Sequence, residues 1–126
     1  MKKMITDVLK QKKFAIVGSF RNKEKVAYKI MQDMEKKGYE VYPVNPNMKI
    51  VDGKVSYKSI SDIPFDIDVA DIVTPPDVTE KIVEECLKKG IKRVWLQPGA
   101  ESDKVIEFCH ENNIKVLHSI CIMIES

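Results

Sequence analysis

The 126-residue chain carries 21 Lys and Arg against 19 Asp and Glu, a formal net charge of +2, and 44% hydrophobic residues. That length supports one core and is short for two, so a single domain over residues 1–126 is expected, and the interleaved charges exclude the basic stripe of a nucleic-acid binder. The three cysteines form no C-x-x-C pair, which excludes a disulfide framework and a zinc site and fits a reducing cytoplasm, and the longest apolar run, 120–124, falls far short of the ~20 residues of a membrane span.

In chain order, Lys2, Lys3, Lys10, Lys12 and Lys13 flank the apolar Met4, Ile5, Val8 and Leu9, the spacing of a docking helix with a solvated basic face. A short apolar run at 14–17 predicts a buried strand, and Val26, Ala27, Ile30, Met31 and Met34 then fall on one helical stripe. Lys36-Lys37-Gly38 supplies cations for the negative end of that helix and a left-handed residue to stop it. A strand at 41–44 follows.

Residues 46–66 are irregular. Asp52-Gly53 between Ile50-Val51 and Lys54-Val55 signals a tight turn, hence a minor hairpin or a short strand ending near Tyr57, with a helical turn before Pro64. No function is assigned to this stretch. Beyond it come a strand at 69–73, a helix striped by Ile82, Val83, Cys86 and Leu87 and closed by Lys88-Lys89-Gly90, and a strand at 94–96. A helix striped by Val105, Ile106, Phe108 and Cys109, closed by Asn112-Asn113, leads to a last strand at 116–119.

Strands without apolar-polar alternation, each separated by a helix, predict right-handed βαβ units. The fold class expected is α/β: a Rossmann-like open parallel sheet of five or six strands with helices on both faces, a three-layer sandwich.

In such a sheet ligands bind beyond the carboxyl ends of the strands, where strand order reverses. The segments that follow the strands are Gly18-Ser19-Phe20-Arg21-Asn22-Lys23, Asn45-Pro46-Asn47, Thr74-Pro75-Pro76 and Gln97-Pro98-Gly99-Ala100. The first reads as a phosphate cradle leading into a helix N-terminus, with Ser19, Arg21 and Lys25 adding donors and charge, although only Gly18 survives of a G-x-G-x-x-G pattern. Dinucleotide-binding domains usually place an acid after the second strand to hold the ribose. Here Val44 is followed by Asn45-Pro46-Asn47 with Lys49 beyond, which suits a ribose that carries phosphate, as in coenzyme A or NADP.

The runs Phe14-Ala15-Ile16-Val17-Gly18-Ser19, Gly38-Tyr39-x-Val41-x-Pro43-Val44-Asn45-Pro46, Ile60-x-Asp62-Ile63-Pro64 and Trp95-Leu96-Gln97-Pro98-Gly99-Ala100 together resemble the small stand-alone CoA-binding proteins. These are similar to the N-terminal domain of the succinyl-CoA synthetase α-subunit and of ADP-forming acyl-CoA synthetases. The resemblance implies coenzyme A as ligand, with Gly18, Ser19 and Arg21 meeting its phosphates, Lys25 behind them and Phe20 in the same binding loop. It places Val44, Asn45 and Pro46 beside the adenosine, and Thr74, Pro75, Pro76, Gln97 and Pro98 on the opposite wall. Phe20 and Asn22-Lys23 depart from the small or basic residues that the family often has there.

The resemblance also implies a binding module for CoA or an acyl-CoA rather than an enzyme, since the phosphorylated histidine of the large synthetases belongs to a later domain. His110 reads as a surface residue and His118 as a structural imidazole on the last strand. Cys121 follows that strand on the ligand side, where a thiol could exchange with that of CoA if its pKa were lowered. Two alternatives stay open: an NADP-binding redox protein or sensor, and a CoA-binding subunit that completes an acyl-CoA synthetase in trans. Free sheet edges suit a homodimer or a synthetase-type partner. No nucleic acid, membrane or metal is expected.

Overall fold

The computed structural model describes residues 2–126. Along the chain run α1 (Lys2–Leu9), β1 (Lys13–Val17), α2 (Val26–Lys36), β2 (Glu40–Val44), the two-residue strands β3 (Ile50–Val51) and β4 (Lys54–Val55), and a 3-10 turn at Ile60–Asp62. They are followed by β5 (Val69–Ile72), α3 (Pro76–Lys89), β6 (Arg93–Leu96), α4 (Asp103–Glu111), β7 (Lys115–His118) and α5 (Ile122–Glu125). Five strands form one wholly parallel sheet in the order β2-β1-β5-β6-β7, and β3 pairs with β4 as a separate hairpin. This is the expected Rossmann-like sheet, in its five-strand form. Strand order reverses between β1 and β5.

Side-chain alternation divides the core into two clusters. Ala15, Val17, Ala70, Ile72, Val94 and Leu96 share one with the inner stripes of α3 and α4. Phe14, Ile16, Val69, Trp95 and Leu117 share the other with α1, α2 and α5. Each fully buried large side chain of this kind contributes roughly 1.5–3 kcal/mol by leaving water, which is why the central strands need no polar face. The helix ends follow the local rule read from sequence: Gly90 caps α3 in the left-handed region at φ 86°, and Asn113 does the same after α4 at φ 58°.

The amino edge of the sheet is fastened by charge. Arg93 Nε donates to Asp7 Oδ2 at 2.9 Å and Lys115 Nζ reaches the same oxygen at 3.2 Å, which ties α1 to the starts of β6 and β7. The hydrogen bonds from Arg93 and then Lys115 hold the Asp7 carboxyl below its ordinary value.

The irregular segment 46–66 is pinned at its hairpin and at Tyr57. Asp52 and Gly53 adopt φ of 48° and 77°, the mirror-image turn that a two-residue hairpin requires. The Asp52 carboxylate accepts from Tyr28 Oη at 2.5 Å and from the Gln32 amide, and Lys54 pairs with Glu35, so the hairpin is tied to α2. Tyr57 then returns to the sheet: its N–H donates to Pro43 O at 3.1 Å and its carbonyl accepts from Asn45 N at 2.8 Å, a single bridge on the free edge of β2. Among the described residues no helix is long and apolar enough to cross a membrane.

Candidate functional site

Gly18 sits at the reversal point because nothing larger fits. A Cβ there would lie 2.7 Å from Ala27 Cβ and 3.0 Å from the Val73 carbonyl oxygen, so its absence lets the first turn of α2 close onto the ends of β1 and β5. The helix begins at Val26, eight residues beyond Gly18, rather than directly after the strand. Asn22 organises the interval: its Oδ1 accepts from Glu24 N at 3.0 Å and its carbonyl from Lys25 N at 3.2 Å. The N-cap of α2 is Lys25, which supplies no side-chain cap. Among the described residues, the amides of Ser19, Phe20, Arg21, Asn22 and Lys23 have no protein acceptor, nor do those of the first turn of α2. An anion is the ligand that such a set of donors favours.

The start of α3 differs. Pro75 caps it, Pro76 offers no N–H, and Asp77 already sits against its positive end. Negative charge is therefore directed to the α2 side of the crevice. The Thr74-Pro75 loop is instead braced internally by Thr79, whose buried hydroxyl lies 2.8 Å from Thr74 Oγ1 and 3.0 Å from the Pro75 carbonyl.

Three cavities line the carboxyl edge. The central one, about 410 Å³, has apolar walls from Val17, Val44, Ile60, Val73, Val78 and Ile82, with Lys58 and Lys81 also lining it. A second, of about 370 Å³, lies toward α2 and is bounded by Ser19, Arg21, Asn45, Asn47 and Met48. The third, also about 370 Å³, is formed by the Val73-Thr74-Pro75-Pro76 and Pro98-Gly99-Ala100 loops. The first two share Ser19 and Asn45, and the first and third share Val73, Thr74 and Pro75. Each is of the size of a small-molecule site. Asn45 holds the junction: its Nδ2 donates to Gly18 O at 2.6 Å, and its Oδ1 accepts from Asn47 N at 2.8 Å.

The family model of the CoA binding domain matches residues 12–126. The chain belongs to that family. As a CoA-binding domain it is 34% identical over 88% of its length to the ADP-forming acetate–CoA ligase of Methanocaldococcus jannaschii, of which the match spans 17%. The solved structure of a conserved hypothetical protein from Pyrococcus furiosus superposes with a TM-score of 0.88 at 37% identity, covering 92% of this chain and 100% of that one. The dinucleotide-forming acetyl-coenzyme A synthetase 1 of Ca. Korarchaeum cryptofilum matches with a TM-score of 0.73 at 26% identity, over 82% of this chain and 25% of its own.

The structure brings together most, though not all, of the residues singled out by sequence. Gly18, Ser19, Arg21, Val44, Asn45, Pro46, Thr74, Pro75, Pro76 and Pro98 border the cavities. Phe20 is 3% exposed and belongs to the core cluster on the α2 face, where it anchors the loop. Gln97 is 1% exposed and lies under the sheet edge. It continues the alternation of β6 onto the face of Trp95, so its Nε2 donates to Asp71 Oδ1 at 2.5 Å and its Oε1 accepts from Ile122 N at 3.2 Å. Lys25 and Lys49 line none of the three cavities, and neither does Cys121.

Burial pushes the Cys109 thiol up to about 11, and that of Cys86 higher still, so both behave as core hydrophobes. Lys58, Ser59, Ile60, Met48, Val78, Lys81 and Ile82 are wall residues that sequence reasoning missed. For Val78, Lys81 and Ile82 the signal was available: they lie in the first two turns of α3, which directly follow Thr74 and Pro75 at the reversal point. For Lys58 it was not, because its position depends on the return of Tyr57 to β2.

Proposed function

We propose that the protein binds coenzyme A or an acyl-CoA along the carboxyl edge of the sheet, as a binding module. The observation that carries this reading is the adjacency of an apolar cavity and a donor-rich one at the β1–β5 reversal, joined through Ser19 and Asn45. An adenine base suits the walls of Val44, Ile60, Val78 and Ile82. The diphosphate suits the free amides that follow Gly18, the Ser19 hydroxyl and the Arg21 guanidinium. The third cavity, walled by proline and glycine, suits the uncharged pantetheine arm. The family and the ligase relatives support the same ligand.

The module completes a larger acyl-CoA synthetase in trans if a partner supplies the catalytic histidine, a reading favoured by the 29% identical α subunit of ADP-forming acetate–CoA ligase II from Pyrococcus furiosus. Copurification of a stoichiometric larger protein tests that role.

Calorimetric titration with coenzyme A tests binding itself. Saturable heat is expected, and none at millimolar coenzyme A overturns the proposal. Arg21→Ala is expected to weaken binding by about 1.5 kcal/mol, the lower end for a charged hydrogen bond because Arg21 is exposed.

A further inference from the structure

The apolar cavity is lined by two cations that stand apart from the Ser19 and Arg21 cavity proposed for the diphosphate. Lys58 reaches it from the segment that follows the hairpin, and Lys81 from α3, whereas Arg21 lines the neighbouring cavity on the α2 side. Among the described residues neither lysine has an ion-pair partner within 4.0 Å. Of the acids on α3, Glu80 pairs with Lys104 at 3.6 Å, and Glu85, the one carboxylate among the described residues that lines the cavity, accepts from Ser61 N at 3.3 Å and Ser61 Oγ at 3.2 Å. Two unpaired ammonium groups against one occupied carboxylate leave the cavity net positive. An unsubstituted adenosine would not use that charge.

We infer that Lys58 and Lys81 read a phosphate on the ribose of the bound nucleotide, separate from the diphosphate held at Ser19 and Arg21. The inference rests on the coenzyme A reading and deepens it by naming the residues that discriminate coenzyme A from its 3′-dephospho form. It moves that role from Lys49, which lines no part of the crevice, to two lysines that do. Both are exposed side chains on flexible stems, so each acts as a screened point charge, and the effect falls as salt rises.

The test is calorimetric titration of the intact protein with coenzyme A and with 3′-dephospho-coenzyme A, in wild type, Lys58→Met, Lys81→Met and the control Lys49→Met. Methionine keeps the apolar stem that packs along the wall. Wild type is expected to prefer coenzyme A by roughly ten-fold or more, and each of the first two variants to narrow that preference about five-fold with dephospho-coenzyme A affinity unchanged. Lys49→Met retains the full preference. Equal affinity of wild type for both ligands, or an undiminished preference in both Lys58→Met and Lys81→Met, overturns the inference while leaving the coenzyme A reading intact. Binding of neither ligand by wild type overturns both. Thermal melts of the variants matching wild type show that any change belongs to the site.

Discussion

Asp71 stands in the middle of the central strand, fully buried, with one carboxylate oxygen on Gln97 and the other without a partner among the described residues. Burial pushes its pKa up to about 7, and the Gln97 hydrogen bond offsets only part of that. An aspartate whose folded value exceeds its unfolded value of 3.8 takes up protons on folding between these limits. Stability contributed by the neutral form is therefore fully present below about pH 4 and declines as pH rises through about 7. Asp71→Asn removes the ionisation while keeping an acceptor for Gln97. It should be more stable than wild type at pH 8, on the order of 2 kcal/mol, with the advantage vanishing near pH 4. Urea unfolding at both pH values measures this, and parallel curves for the two proteins would place the titration elsewhere. The residue also explains where Gln97 sits. Gln97 looks like a crevice residue because Pro98 and Gly99 follow it, yet strand parity with Trp95 turns it inward to Asp71, and Trp95 Nε1 binds Ile120 O at 2.9 Å beside it.

Elements legible from sequence were those governed by local rules. The stripes of α2, α3 and α4, the Gly90 and Asn113 caps and the Asp52-Gly53 turn each follow from a few adjacent residues, and the structure places them as read except at two stripe positions, Val26 and Leu87, which are exposed. What was not legible depended on partners distant in sequence: the clasp of Asp52 by Tyr28 and Gln32, the bridge from Tyr57 to Val44, and hence the arrival of Lys58 at the cavity. The bracing of the Thr74-Pro75 loop by Thr79 is of the same kind, because a threonine in a helix stripe does not announce which carbonyl it will meet. Thr79→Val preserves shape and removes those hydrogen bonds. It should cost about 1–2 kcal/mol of stability and weaken coenzyme A binding by loosening one wall, as read by denaturant unfolding and calorimetry. Lost stability with unchanged affinity would detach the loop from the site.

Across the whole molecule the two edges of the sheet carry different work. Among the described residues, the loop amides after Gly18 at the carboxyl edge have no protein acceptor and Lys58 and Lys81 no ion-pair partner, whereas at the amino edge Asp7 collects Arg93 and Lys115 and closes α1 onto two strands. Substitutions at the two edges should therefore separate stability from binding. The folded-state pKa of Asp7 lies below its unfolded value, so the stability it adds is present above the ordinary carboxylate range and is lost as pH falls through the lowered value, the opposite slope to that of Asp71. Asp7→Asn should lower Tm at pH 7, converge with wild type in acid, and leave coenzyme A affinity unchanged. Arg21→Ala should do the reverse, lowering affinity with little change in the Tm of the free protein. Saturating coenzyme A then discriminates further: a ligand at 100 times its Kd adds about 2.7 kcal/mol, so wild type and Asp7→Asn should gain the same increment in Tm while Arg21→Ala gains less at equal concentration. An Asp7→Asn protein that lost affinity would show that the edges are coupled through β6 and β7, and that the site depends on the docking of α1.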